Sequence, residues 1–160
     1  MSSNNKKRAS WRDYFLNIAE VVGTRATCPG ASVGVVIVDP QTNRILSTGY
    51  NGSAPGEQHC TDIKCLKSPE INDNHCRRAI HAETNAIGHA ARHGTALKGA
   101  HVYTSFSRGV AVGYALPRRY DGPLSDFPCL KCGQLMQATG IKEAFLKEGL
   151  NIVRFYNEAS

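Results

Sequence analysis

No run of apolar residues in the chain approaches the roughly 20 that a membrane-spanning helix needs. The first eight residues are polar and basic, and no apolar stretch follows them, so they do not read as a secretory signal. Internal repeats and low-complexity segments are also missing, which argues against a repeat array or a disordered tail. What is present is ordinary for a soluble domain: 160 residues, 41% hydrophobic and 20% charged. That length suits a single compact unit. The expected organisation is a flexible end over 1–9 and one domain over 10–160, in the cytoplasm.

Six cysteines need an explanation. In a reducing compartment disulfides are rare, so metal ligation and thiol chemistry lead. The formal charge of +6 favours anionic partners without choosing among them. Lys6, Lys7 and Arg8 supply part of that excess from the chain end.

Ser10 with Asp13 reads as a capping pair. Trp11, Tyr14, Phe15, Ile18, Ala19 and Val22 then recur at helical spacing, predicting a helix that ends near Gly23. β-Branched residues predict a strand over 33–39, and turn residues over 40–43 lead to a second strand over 44–50. The stretch 51–78 has no period and reads as a long loop. A helix is predicted over 79–93, a strand over 100–106, a second irregular stretch over 107–127 and a helix over 128–139. Short strands follow over 143–146 and 151–156. This order predicts an α/β fold of three layers around a mixed sheet of about five strands.

His81-Ala82-Glu83 stands at one predicted helix start, and Pro128-Cys129-Leu130-Lys131-Cys132 at another. Two cysteines three apart at a helix start can reach one metal, and a histidine from a neighbouring helix start can be its third ligand. Three protein ligands leave one tetrahedral position for water, as in a catalytic zinc site. Partial positive charge at helix N-termini favours the thiolates. Glu83, two residues past the histidine, can face the same cavity unligated and shuttle a proton. A purely structural zinc needs a fourth ligand, and no further Cys or His lies close to either motif. The combination His-x-Glu with Pro-Cys-x-x-Cys is the pattern of zinc-dependent nucleobase deaminases.

The chain resembles the deoxycytidylate (dCMP) deaminases of the cytidine deaminase superfamily. The resemblance rests on Ala26-Thr27-Cys28, the strand from Val33 to Val38, and Gly49-Tyr50-Asn51-Gly52-Ser53-Ala54-Pro55-Gly56. It continues through His59-Cys60, His81 to Ile87, Pro128 to Cys132 and Gly140-Ile141-Lys142. It implies a three-layer α/β/α cytidine-deaminase-like fold and a single zinc-dependent deaminase domain. The implied reaction is hydrolysis of dCMP to dUMP and ammonia, with zinc on His81, Cys129 and Cys132 and Glu83 as proton shuttle. The resemblance places Asn51 at the sugar and Ala82 at the pyrimidine edge. It further implies a homohexamer activated by dCTP and inhibited by dTTP, with Mg2+ accompanying the effector. Gly49, Tyr50, Gly52 and Arg92 are then assigned to that nucleotide site. A second zinc is implied on Cys28, Cys60, His75 and Cys76, with Cys65 as a rival ligand.

The chain departs from the family pattern at 107–127, where relatives run from strand to Pro-Cys in a few residues. Arg108, Arg118 and Arg119 in this insertion are candidates for a phosphate or a neighbouring subunit. His89, His93 and His101 have no evident partner and read as structural or surface residues. Neither a membrane nor a nucleic acid is expected as a partner. The competing functions are deamination of another cytosine or adenine substrate, such as a nucleoside or transfer RNA, and a zinc-stabilised nucleotide-binding module without turnover.

Overall fold

The structure is a computed structural model that describes residues 7–63, 65, 76, 78–108, 127–148 and 151–156. Helix α1 (Trp11–Gly23) opens the fold, capped by the Ser10 hydroxyl, which accepts from the Asp13 amide. Strands β1 (Ala31–Asp39) and β2 (Arg44–Tyr50) form an antiparallel hairpin. Helix α2 (Ala82–Arg92), strand β3 (His101–Arg108), helix α3 (Leu130–Ala138) and strands β4 (Glu143–Glu148) and β5 (Asn151–Tyr156) follow. The sheet order is β2-β1-β3-β4-β5. Only β3 and β4 run parallel, joined through α3, so the five-stranded sheet is mixed as the sequence predicts.

Alternation along β1 divides the core. Val36 and Val38 face α1, together with Phe15, Leu16, Tyr103 and Phe145. Val35 and Ile37 face the other way, against Ala82, Ala86 and Ala90 of α2 and Met136 of α3. The period of two in a strand and the apolar stripe of a helix together produce this three-layer sandwich.

Two helix starts lie later than the sequence suggests. The second helix begins at Ala82 rather than at 79, because Ile80 is still extended and exchanges backbone hydrogen bonds with Gly52. The third begins at Leu130, because Cys129 is an extended N-cap residue. Phe127–Pro128 is a cis peptide that precedes this cap, so the proline lies outside the helix. Both shifts place a metal-capable side chain at an N-cap position. The strands β1, β3 and β4 each extend a residue or two beyond their predicted ends, as ladder pairing continues past the apolar run.

The described start of the long loop is held by Thr27. Its amide donates to the Asn51 carbonyl, its hydroxyl accepts from the Ser53 amide, and its carbonyl accepts from Thr61. The predicted ligand His75, and Arg118 and Arg119, lie outside the described residues, as does most of the 107–127 insertion.

Candidate metal and catalytic site

His81 is the N-cap of α2 and Cys129 the N-cap of α3. N-cap side chains usually accept from the first turn. Neither does so here. Instead, His81 Nδ1 lies 3.4 Å from Cys129 Sγ and 3.4 Å from Cys132 Sγ. The three donor atoms all lie within 4.8 Å of one another. Tetrahedral zinc bonds to sulfur and to imidazole nitrogen imply N···S edges of about 3.6 Å. The soft-plus-borderline donor set and these separations therefore fit zinc. Among the described residues no other His, Cys, Asp or Glu side chains bring three donors together this way.

Charge is uneven across the cluster. The Cys129 thiol is pulled down to about 4, chiefly by a hydrogen bond from Cys132 and then by His81. Cys132 is pushed up, because Cys129 takes the negative charge and Cys132 is the more buried. His81 is raised above its ordinary value, first by its contact with Cys129. A cation held by the cluster would favour the thiolate at both sulfurs, with the downward shift at Cys129 and against the upward one at Cys132.

Glu83 occupies the first turn of α2 and is 7% exposed. Its Oε2 lies 3.8 Å from Cys132 Sγ, yet its carboxylate is outside the three-donor group. Burial is the main cause that raises its pKa, so it holds a proton more tightly than an exposed glutamate. The sequence expects Glu83 beside His81, Cys129 and Cys132 without joining their donor group, and its carboxylate lies next to that cluster and outside it.

The helix backbone reaches this position because β2 supplies a glycine beneath it. A Cβ at Gly49 would collide with the Ala82 carbonyl and the Ala86 amide. Ala82 itself is buried in the first turn of α2. Side chains pin α2 to β2 as well. Ser47 Oγ donates to the Ala86 carbonyl at 2.7 Å, and Asn85 Nδ2 donates to the Tyr50 carbonyl at 2.8 Å. His89 Nδ1 lies 3.0 Å from the Thr48 carbonyl, which can only accept, so His89 has a partner the sequence pattern does not reveal.

Asn51 is buried against β1. Its Oδ1 accepts from the Val33 amide at 2.8 Å, and its Nδ2 donates to the Ala31 carbonyl at 3.1 Å. One amide hydrogen remains for another partner. Gly52 packs its α-carbon against Thr27. Arg92 is exposed and, with Leu46, Ser47, Thr48, His89, His93 and Thr95, lines an open cavity of about 390 Å³ between β2 and the end of α2. All six cysteines are free thiols. Cys60 is buried with Sγ 3.9 Å from Ser53 Oγ, and Cys76 accepts from the Ala79 amide at 3.4 Å. Cys28 and Cys65 are half-buried.

The family model described as the cytidine and deoxycytidylate deaminase zinc-binding region matches residues 9–148. The chain belongs to this family. ComE operon protein 2 of Bacillus subtilis is 34% identical over 142 residues, which are 89% of this chain and 61% of that protein. The deoxycytidylate deaminase of Mycobacterium phage D29 is 30% identical over 143 residues, covering 84% of this chain and 92% of its own. The chain spans less than two thirds of the Bacillus relative and 28% of the Schizosaccharomyces pombe deoxycytidylate deaminase. Among solved structures, the dCMP deaminase of cyanophage S-TIM5 in complex with dCMP and dUMP superposes with a TM-score of 0.61. It has 18% identity and covers 88% of this chain and 82% of that one, a likeness of fold. The family region in question is zinc-binding, in keeping with the His81, Cys129 and Cys132 donor set.

No described helix is long and apolar enough to cross a membrane. The side chain of Arg108 lies outside what is described, although its backbone closes the β1–β3 ladder opposite Ala31.

Proposed function

We propose that the chain hydrolyses dCMP to dUMP and ammonia. The observation that carries this reading is the placement of a buried, unligated carboxyl beside a three-donor metal cluster, Glu83 Oε2 being 3.8 Å from Cys132 Sγ. His81, Cys129 and Cys132 would hold the zinc. When bound, it supplies Lewis acidity that lets water lose a proton at neutral pH. Glu83 would take one proton of the attacking water and pass it to the ring nitrogen N3, then take the second from the hydroxyl now on C4 and pass it to the amine, which leaves as ammonia when the C4–N bond breaks. Its burial and raised affinity for protons suit that carrier role. The first turns of α2 and α3 orient the pyrimidine edge through the backbone near Ala82 and Cys129. The free amide hydrogen of Asn51 is the group available to the sugar, while its other contacts keep it fixed on β1.

The substrate class rests on the relatives named as deoxycytidylate deaminases, one of them aligned over 92% of its length. Regulation by dCTP and dTTP follows from the family resemblance, and the open cavity lined by Arg92, between β2 and the end of α2, is where it would act. Gly49, Tyr50 and Gly52 belong to the same assignment, with Mg2+ on the effector phosphates and a homohexamer as the assembly. A second zinc on Cys28, Cys60, His75 and Cys76 is part of the proposal, although Cys28, Cys60 and Cys76 form no three-donor group by themselves; a reducing, cytoplasmic location for the free thiols belongs to it as well.

The test is ammonia release from dCMP, dCTP, deoxycytidine and a transfer RNA anticodon loop, with and without dTTP. Turnover is expected on dCMP, sigmoidal and lowered by dTTP. Nucleotide binding with no ammonia from any of the four would replace the enzyme reading with a binding module. Hyperbolic kinetics indifferent to dTTP would remove the regulatory part alone. Metal analysis of the purified chain is expected to give two zinc ions, and one would remove the second site.

A further inference from the structure

Cys132 is the most crowded of the three metal-capable residues. His81 Nδ1 and Glu83 Oε2 approach its sulfur from α2, and so does a third group that the proposed chemistry does not use. Thr84 Oγ1 lies 3.9 Å from Cys132 Sγ, within the longer reach of sulfur hydrogen bonds. Thr84 is in the first turn of α2, next to Glu83, and its residue surface is exposed. A threonine in a helix commonly turns its hydroxyl back onto a carbonyl of the preceding turn. Here the hydroxyl instead bridges to the other helix.

The direction of this bond follows from valence. A sulfur that ligates a metal carries no proton and can only accept, so the hydroxyl must donate. We propose that Thr84 is a positioning residue for the metal centre, its hydroxyl donating to the Cys132 sulfur and holding α3 against α2 in the geometry that ligation requires. The inference rests on the metal reading of the cluster, not on the identity of the substrate. A donor on a ligating sulfur fixes the ligand's orientation and draws electron density from it, which tunes the charge left at the metal. His81, Cys129 and Cys132 come from two helices, and this bond ties those helices together at the ligand itself. Loss of outer partners of this kind typically weakens metal binding by roughly 10- to 100-fold.

The experiment uses cobalt(II) and zinc as probes on the full chain, with affinity measured by chelator competition and the sulfur-to-cobalt charge-transfer band recorded. Thr84→Val and Thr84→Ala remove the hydroxyl at an exposed helix position, and Thr84→Ser keeps it. Both hydroxyl-free variants are expected to lose roughly 10- to 100-fold in affinity, with the band moved to longer wavelength, while Thr84→Ser stays near the wild type. Wild-type affinity and an unmoved band in Thr84→Val or Thr84→Ala would overturn the proposal. So would an equal loss in Thr84→Ser, which would assign the effect to the methyl group. A wild-type chain that binds neither ion would overturn the metal reading itself, an outcome distinct from the others.

Discussion

The two faces of the sheet are filled by opposite means. On the α1 side the space is taken by rings: Phe15 lies 5.1 Å from Tyr103, and Tyr103 stacks on Phe145 at 5.0 Å. On the other side no ring joins the buried cluster among the described residues: Ala82, Ala86, Ala90, Ala100 and Ala144 lie among aliphatic residues and Met136, with Gly49 beneath α2. Rings fill the space beside the helix backbone and adapt by turning. Small residues bring backbone against backbone, where close packing leaves no slack. The α1 side has an equally close approach at Gly34, beneath Ala19 and Gly23 of α1, with the rings packed beside it. The face that must place four side chains from two helices is the one where alanines of α2 and Gly49 let the helix lie directly on β2. Close backbone contact fixes where α2 begins, and with it His81, Glu83 and Thr84.

The largest effect that sharpens this contrast is at Glu83. Glu83→Gln keeps the metal donors and should lower dCMP turnover by at least about 100-fold without loss of folded stability. Near-normal turnover would remove Glu83 from the chemistry. Phe15→Ala, on the ring-filled face, should cost about 3–5 kcal/mol in urea unfolding while the turnover of folded molecules stays unchanged. A matching loss of turnover would show that the faces are not separable. Gly49→Ala should cost about 1–3 kcal/mol, because the new methyl group meets the α2 backbone. Unlike Phe15→Ala, it should also weaken zinc binding in a chelator assay.

The faces should also respond to acid in opposite senses. Burial raises Glu83 above its ordinary 4.5 and lowers His101, beside Phe145, below its ordinary 6.5. The folded chain holds the Glu83 proton more tightly than the unfolded one, so that contribution is complete at low pH. It is lost as pH rises through the folded value. Protonating His101 costs more in the fold, so its contribution is complete above 6.5 and is lost as pH falls through the lowered value. In metal-free unfolding, Glu83→Gln should gain on the wild type as pH rises, and His101→Gln should gain as pH falls. Parallel pH curves for either variant and the wild type would refute the corresponding assignment. The smallest effect lies away from both cores: Ser10→Ala should cost about 1 kcal/mol in thermal unfolding, through the lost cap of α1.

Much of this architecture was legible before any coordinates. The eight elements follow from spacing, because apolar period and turn chemistry are local properties. The three-donor cluster was legible for the same reason: Cys129 and Cys132 are tied by helical geometry, and the one distant partner required was His81. The boundaries at 79 and 128 were not, since pairing of Ile80 with Gly52 and extension at Cys129 override helix propensity. His89 gave no signal, because its partner is a backbone carbonyl on β2. The sequence expectation for Asn51 concerned the sugar alone, and nothing local signalled that its side-chain amide also bonds to the Val33 amide and the Ala31 carbonyl of β1.

Residue order alone determined which groups can bind a metal and that they start helices, since a three-residue spacing and a helix start are written within a few positions. Only the tertiary structure decided how closely α2 lies on β2, which hydroxyl reaches the Cys132 sulfur and where Arg92 opens a cavity. Those facts depend on distances between elements far apart in the chain, and packing, not local preference, sets such distances.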